Sequence, residues 1–132
     1  MTSDQLYNEA LKRLAAAPVA RLTAPDATQK LNNPLCGDRV ILELRVEDDR
    51  IAAIGGEVKG CLLCQAALAT LVEVATGRDA AEAWDLGPWV ATMLAGTAPP
   101  PPALEPFLPV RPFRSRHACV LLPFEALSRM LD

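Results

Sequence analysis

Residues 39–59 constrain the fold more than any other stretch of the chain. Val40, Leu42, Leu44 and Val46 alternate with Ile41, Glu43 and Arg45. That period of two lays one side of a strand on a core and turns the other outward. Asp48-Asp49 interrupts the run, and Arg50 to Lys59 resumes it, with Ile51, Ala53 and Gly55 alternating against Ala52 and Ile54. Two such runs joined by a short polar turn predict a β-hairpin. Glu43, Arg45 and Glu47 read as its solvated or cross-strand-paired face. A lone hairpin is marginal in water, so the rest of the chain must cover it. Gly60 ends the second strand. Cys61 to Thr76 is apolar almost all round, with Leu62, Leu63, Leu68, Leu71, Val72 and Ala75, which predicts a buried helix stopped by Gly77.

The flanking segments supply the cover. Leu6, Tyr7, Ala10, Leu11 and Leu14 recur at helical spacing, predicting an amphipathic helix over Asp4 to Ala16, capped by Ser3 or Asp4 and ended before Pro18. Arg21 to Asn33 reads as extended, with a turn at Pro25-Asp26 and a short strand from Ala27 to Leu31, and Asn32 to Asp38 reads as a loop. Asp79 to Ala95 is helical, with a break at Gly87-Pro88. Ala98 to Pro112 holds four consecutive prolines and is expected to be an extended surface excursion. A last helix is expected over Pro123 to Leu131, with Pro123 in its first turn. With 132 residues and 51% hydrophobic content, the chain has enough apolar material for one compact domain, residues 1–132, and too little for two. The expected class is α+β: a small antiparallel β-sheet covered by helices.

Several functions are disfavoured at once. The formal net charge is −3 and no dense Lys/Arg run occurs, so a nucleic-acid partner is not expected. Arg111, Arg114 and Arg116 form the only local basic cluster, suited to one anionic partner. The most apolar window, Cys61 to Ala75, contains Gln65 and Glu73 and is too short to cross a bilayer. The N-terminal residues lack the basic start and unbroken apolar run of a signal peptide. The expectation is a cytoplasmic protein without a membrane partner. In that compartment the four cysteines are metal ligands, redox groups, sulfur carriers or core residues rather than disulfide staples.

The positions of the cysteines favour ligands. Cys36 lies in the loop before the hairpin, Cys61 at the start of the apolar helix and Cys119 ahead of the expected last helix, junctions where side chains are accessible. The partial positive charge of a helix N-terminus favours a thiolate at Cys61, and Gly60 leaves room there for a bulky inorganic ligand. Cys36-Gly37-Asp38 sets a soft ligand and a hard one two residues apart, on one side of an extended chain. Three thiolates and a carboxylate make a tetrahedral set that zinc or an iron–sulfur centre accepts. A carboxylate is the weaker ligand for cluster iron, which suits loading and unloading. Cys64 shares a helix face with Cys61 and reads first as a packed core residue, with a resolving thiol or auxiliary sulfur carrier as the alternative. His117 is the sole histidine, a surface residue or an alternative ligand. Arg114 and Arg116 are solvated residues or stabilisers of an anionic persulfide. Trp84 and Trp89 read as core or interface aromatics.

Asn33-Pro34-Leu35-Cys36-Gly37-Asp38-Arg39 resembles the N-P-x-C-G-D motif of the NifU/IscU/SufU iron–sulfur cluster scaffold family. Lys59-Gly60-Cys61 resembles its G-C motif at a helix start, and His117-Ala118-Cys119 its third cysteine segment. Ala118 stands where IscU-type proteins place a histidine. Leu108-Pro109-Val110-Arg111 only loosely echoes their chaperone-binding motif and lies too far upstream. The long segment before Cys119 makes the chain more similar to the SufU-type branch, although the proline run belongs to neither.

The resemblance implies a NifU/IscU/SufE-like α+β fold. It also implies a scaffold that accepts sulfur from a cysteine desulfurase, with Cys119 as persulfide acceptor, and passes clusters to downstream acceptor or carrier proteins. Cys36, Asp38, Cys61 and Cys119 would hold a transient [2Fe-2S] cluster or Zn2+. Such a scaffold is non-enzymatic. If the chain is catalytic, the reading is a zinc-dependent sulfurtransferase relaying persulfide sulfur. A structural zinc-binding interaction module is the remaining alternative.

Overall fold

The computed structural model describes residues 8–34 and 37–131. Its elements are α1 (Glu9–Ala16), β1 (Ala27–Asn32), β2 (Arg39–Glu47), β3 (Arg50–Lys59), α2 (Leu62–Ala75), α3 (Ala80–Trp84), α4 (Leu86–Leu94), a 3-10 helix (Pro102–Val110) and α5 (Arg114–Leu131). The strands form an antiparallel sheet in the order β1-β2-β3. The hairpin stands where the alternation places it. Asp48 and Asp49 take φ of 52° and 62°, the left-handed pair whose twist matches the flanking strands. Val40, Leu42 and Leu44 point into the core opposite Val58, Gly56 and Ile54. A Cβ at Gly56 would run into the Ile41 carbonyl, so only glycine fits that ladder position.

The core side of the sheet is covered by helices, as the α+β reading expects. α2 packs on β3, α5 on β1 and β2, and α2 lies between α1 and α5. Leu63, Ala66, Ala67 and Leu71 of α2 meet Val120, Phe124 and Leu127 of α5 in one apolar cluster. Gly77, with φ 91°, follows α2 and lets the chain turn back.

Several expectations need correction. α1 begins at Glu9 with Asn8 as its cap, the Asn8 side chain accepting the N–H of Leu11. Ser3 and Asp4 lie outside the described residues. The helical segment after Gly77 divides at Asp85 instead of Gly87-Pro88. Pro88 sits in the first turn of α4, where no intrahelical partner needs its missing N–H. The proline-dense segment is no surface excursion. Leu104, Phe107 and Val110 recur every three residues, the period of a 3-10 helix, and all three are buried. The Asn8 amide donates to the Pro106 carbonyl at 3.0 Å, and Arg111 donates to the carbonyls of Met93 at 2.8 Å and Ala98 at 2.9 Å.

The last helix starts nine residues earlier than expected, at Arg114 instead of Pro123. A proline inside a helix costs about 3 kcal/mol. Burial of Val120, Leu122, Phe124, Ala126 and Leu127 outweighs it, at roughly 1.5–3 kcal/mol for each large apolar side chain. Glu43 is buried rather than solvated, held by Arg21 of the segment preceding β1. Trp84 and Trp89 are 41% and 37% exposed, so neither is a core residue.

Candidate metal centre

The hairpin register builds the first half of the site. Arg39 pairs with Lys59, so Asp38 and Gly60 face one another just beyond the ladder and Cys61 follows at the mouth of α2. The 33–38 loop is closed by two backbone bonds: Asn33 N–H to the Asp38 carbonyl and Gly37 N–H to the Asn33 carbonyl, both 2.8 Å. Gly37 has φ 75°, a conformation that favours glycine. Asp38 is thereby turned inward and is 3% exposed.

The Asp38 carboxylate has two contacts at Cys61. Oδ1 accepts the Cys61 N–H at 3.0 Å, and Oδ2 lies 3.6 Å from the Cys61 Sγ. Cys61 is the N-cap of α2, and its side chain bonds no amide of that helix. One of the four amides that a helix start leaves unbonded is thus met by Asp38, and the thiol is left facing the carboxylate. The role of Gly60 differs from the expected one. A Cβ there would overlap Asp38 Oδ1 and stand 2.7 Å from its Cγ, so the space that glycine frees is filled by the carboxylate itself. Gln65 steadies the corner by donating to the Gly60 carbonyl at 3.1 Å.

α5 supplies the other half. Cys119 sits inside this helix and not ahead of it, and is 1% exposed. Pro123 has no N–H to give the Cys119 carbonyl four residues back, so the usual helical bond is absent at that turn. Donor atoms of Asp38, Cys61 and Cys119 all lie within 4.8 Å of one another. Cys36, the remaining expected ligand, lies outside the described residues, between Pro34 and Gly37, which are described.

The donor set can be tested against a metal. With Zn–S near 2.3 Å and Zn–O near 2.1 Å, a tetrahedron puts sulfur and oxygen about 3.6 Å apart. Cys61 Sγ and Asp38 Oδ2 stand at that separation. Two thiols and a carboxylate fit zinc or cluster iron and leave a fourth position to be filled.

The other flagged residues fall outside this group. Cys64 is fully buried in the core, as its first reading expects. His117 Nε2 lies 3.1 Å and 3.0 Å from the Val110 and Arg111 carbonyls, which accept its proton, so it ties α5 to the end of the 3-10 helix. Arg111 is committed to the Met93 and Ala98 carbonyls, while Arg114 is exposed and Arg116 half-buried. The residue whose role the sequence understated is Asp38. The alternation ending at Arg39 and Lys59 was the available signal, since antiparallel pairing of those two sets Asp38 beside the α2 start.

Comparison with known proteins bears on the family and the fold. The NifU-like N-terminal domain family matches residues 16–102, a span that contains Asp38 and Cys61 and stops short of Cys119. The chain is 28% identical to the iron–sulfur cluster assembly scaffold protein IscU of Streptococcus pyogenes serotype M1, over 84% of this chain and 72% of that protein. It is 25% identical to the zinc-dependent sulfurtransferase SufU of Bacillus subtilis strain 168, over 75% of this chain and 70% of that one. The crystal structure of the N-terminal part of a NifU-like protein from Brucella abortus superposes with a TM-score of 0.88 at 29% identity, covering 98% of this chain and 94% of that one. A putative SUF-system scaffold from Fervidobacterium islandicum shares the fold, with a TM-score of 0.89 at 24% identity over 99% of this chain and 100% of that one. The chain belongs to the NifU-like N-terminal domain family, the iron–sulfur cluster assembly scaffold family of IscU and SufU.

Proposed function

We propose that this chain is a single-domain cytoplasmic scaffold on which an iron–sulfur cluster is assembled as cargo, and that Cys36, Asp38, Cys61 and Cys119 are its ligands. The observation that carries this reading is the convergence of Asp38, Cys61 and Cys119 within 4.8 Å from three separate parts of the chain. Cys61 and Cys119 offer the soft donors that iron in a cluster takes, and Asp38 offers a harder donor that exchanges more easily. Cys36, two residues before Asp38 in the sequence, is the candidate for the remaining position. Sulfur comes from a cysteine desulfurase, with Cys119 as acceptor by family likeness, and finished clusters leave to acceptor or carrier proteins.

Anaerobic reconstitution with ferrous iron and sulfide tests the scaffold. A cluster chromophore should develop in the visible spectrum and be lost in Cys61→Ser and Cys119→Ser. Its failure to form in the unaltered chain overturns the reading. Asp38→Ala should retain its cluster longer than the unaltered chain, because the exchangeable ligand is gone, and equal or faster loss contradicts that role for Asp38.

A second reading is favoured by the 3.6 Å separation of Cys61 Sγ and Asp38 Oδ2, which equals a zinc tetrahedron's edge, and by the likeness to a zinc-dependent sulfurtransferase. In it the same four residues hold zinc, and the chain relays persulfide sulfur without building clusters. Stoichiometric zinc with sulfur transfer and no cluster formation would establish this second reading.

A further inference from the structure

The outer side of the sheet is closed at one end and open at the other. At the closed end the ladder row Thr28–Glu43–Gly55 lies under residues 20–22. Leu22 N–H donates to Glu43 at 2.9 Å, and a Cβ at Gly55 would stand 2.5 Å from the Ala20 carbonyl. The next two rows on the same side are Lys30–Ile41–Glu57 and Asn32–Arg39–Lys59. They line a hollow of about 350 Å³. Lys30, Asn32, Arg39, Glu57 and Lys59 are exposed, and Ile41 forms a half-buried floor.

This hollow reverses the sign of the chain's net charge of −3. It gathers Lys30, Arg39 and Lys59 from three different strands. Its acid, Glu57, is already engaged by Arg21, with Nη1 to Oε2 at 3.5 Å. Among the described residues none of the three cations has an ion-pair partner. The hollow also adjoins the metal centre through the chain itself, since Arg39 follows Asp38 and Lys59 precedes Gly60-Cys61.

We propose that Lys30, Arg39 and Lys59 form a docking surface for a carboxylate-bearing segment of the protein that donates sulfur to the centre. The proposal rests on the scaffold and sulfur-acceptor reading above. The spread of the cations favours a protein segment over a free inorganic anion. Strands lie about 4.8 Å apart, so the row from Asn32 to Lys59 spans roughly 10 Å at the backbone. Ile41 adds an apolar floor that one small anion would leave uncovered. Cations at the rim of a contact act mainly on the association rate and its salt dependence, and these would orient a donor so that its sulfur arrives beside Asp38 and Cys61.

The test measures association of the full chain with the cysteine desulfurase of the same organism, at low and at moderate salt. The unaltered chain should associate several-fold faster at low salt. The triple variant Lys30→Glu/Arg39→Glu/Lys59→Glu should associate at least about tenfold more slowly there and lose most of its salt dependence. A matched variant, Lys12→Glu/Arg13→Glu/Arg129→Glu, makes the same change in net charge elsewhere and should stay near the unaltered rate. Metal stoichiometry and circular dichroism of the first variant should match those of the unaltered chain. Equal rates in both variants overturn the docking surface while leaving the scaffold intact. No association by the unaltered chain overturns the sulfur-acceptor reading and the docking surface together. Saturable binding of inorganic phosphate at these three residues, with phosphate abolishing association at constant ionic strength, makes the hollow a small-anion site and also overturns the proposal.

Discussion

Asp38, just before β2, and Glu43, within β2, are both buried carboxylates, 3% and 4% exposed, and they are held in opposite ways. Glu43 is closed off by a cation. Arg21 donates to it through Nε at 2.8 Å and Nη2 at 3.2 Å, and Leu22 adds its N–H. These bonds, the guanidinium first, hold the Glu43 carboxyl below its ordinary value. Asp38 gives one oxygen to the Cys61 amide and turns the other to the Cys61 thiol. A carboxylate bonded to a guanidinium and an amide makes a clamp between segments. A carboxylate facing a thiol, with a second thiol within reach, makes a place where a metal can enter. The difference lies in the partners and not in burial.

Four tests sharpen or break that contrast. The largest effect belongs to the thiols: Cys61→Ala or Cys119→Ala should lower metal affinity by more than about 100-fold, exceeding the roughly 10–100-fold typical of an outer-shell loss. Glu43→Gln should leave affinity within a few-fold. Competition against a chromophoric chelator measures both, and a comparable loss in Glu43→Gln would erase the distinction. Gly60→Ala should come next, because its methyl displaces the Asp38 carboxylate. About 1–3 kcal/mol of stability should be lost to overpacking, together with roughly tenfold of zinc affinity.

Smaller effects separate the two oxygens of Asp38. Asp38→Ala removes the bond to the Cys61 amide and should cost about 1–3 kcal/mol in urea unfolding of the metal-free chain. Asp38→Asn keeps an acceptor for that amide and should cost less than about 1 kcal/mol, while still lacking the charged ligand. Equal stability losses in the two variants would show that the amide bond contributes nothing.

The smallest effect is the pH dependence at Glu43. Its folded pKa is lowered from an ordinary 4.5, so its stabilisation is fully present above that value and fades as pH falls through the lowered folded value. The melting temperature of the unaltered chain should therefore drop as pH falls below about 4.5. Glu43→Gln should be less stable at neutral pH and flatter across that window. An unchanged slope would remove the Arg21 clamp from the account.

How much of this was legible in the sequence follows from the range of each signal. Local periodicity placed β2, β3 and α2 correctly, because alternation and an all-apolar run need no tertiary context. It failed for α5, where Pro123 reads locally as a helix start and only the burial of residues around it carries the helix across. It failed for residues 102–110, where prolines masked the three-residue spacing of Leu104, Phe107 and Val110. Glu43 looked solvent-facing because its cover, Arg21 and Leu22, comes from a segment without periodicity. At the site, motif likeness named Asp38, Cys61 and Cys119. It did not show that Asp38 bonds the amide of the residue whose thiol it faces, since that depends on the strand register.

X-ray absorption at the zinc edge of the zinc-loaded chain tests the shared centre most directly. The first shell should contain sulfur near 2.3 Å and one oxygen near 2.0–2.2 Å. Cys61→Ser and Cys119→Ser should each remove one sulfur, and Asp38→Asn should alter the light-atom distance. A sulfur count that neither cysteine substitution changes, or a shell made only of oxygen and nitrogen, would contradict a common centre at Asp38, Cys61 and Cys119.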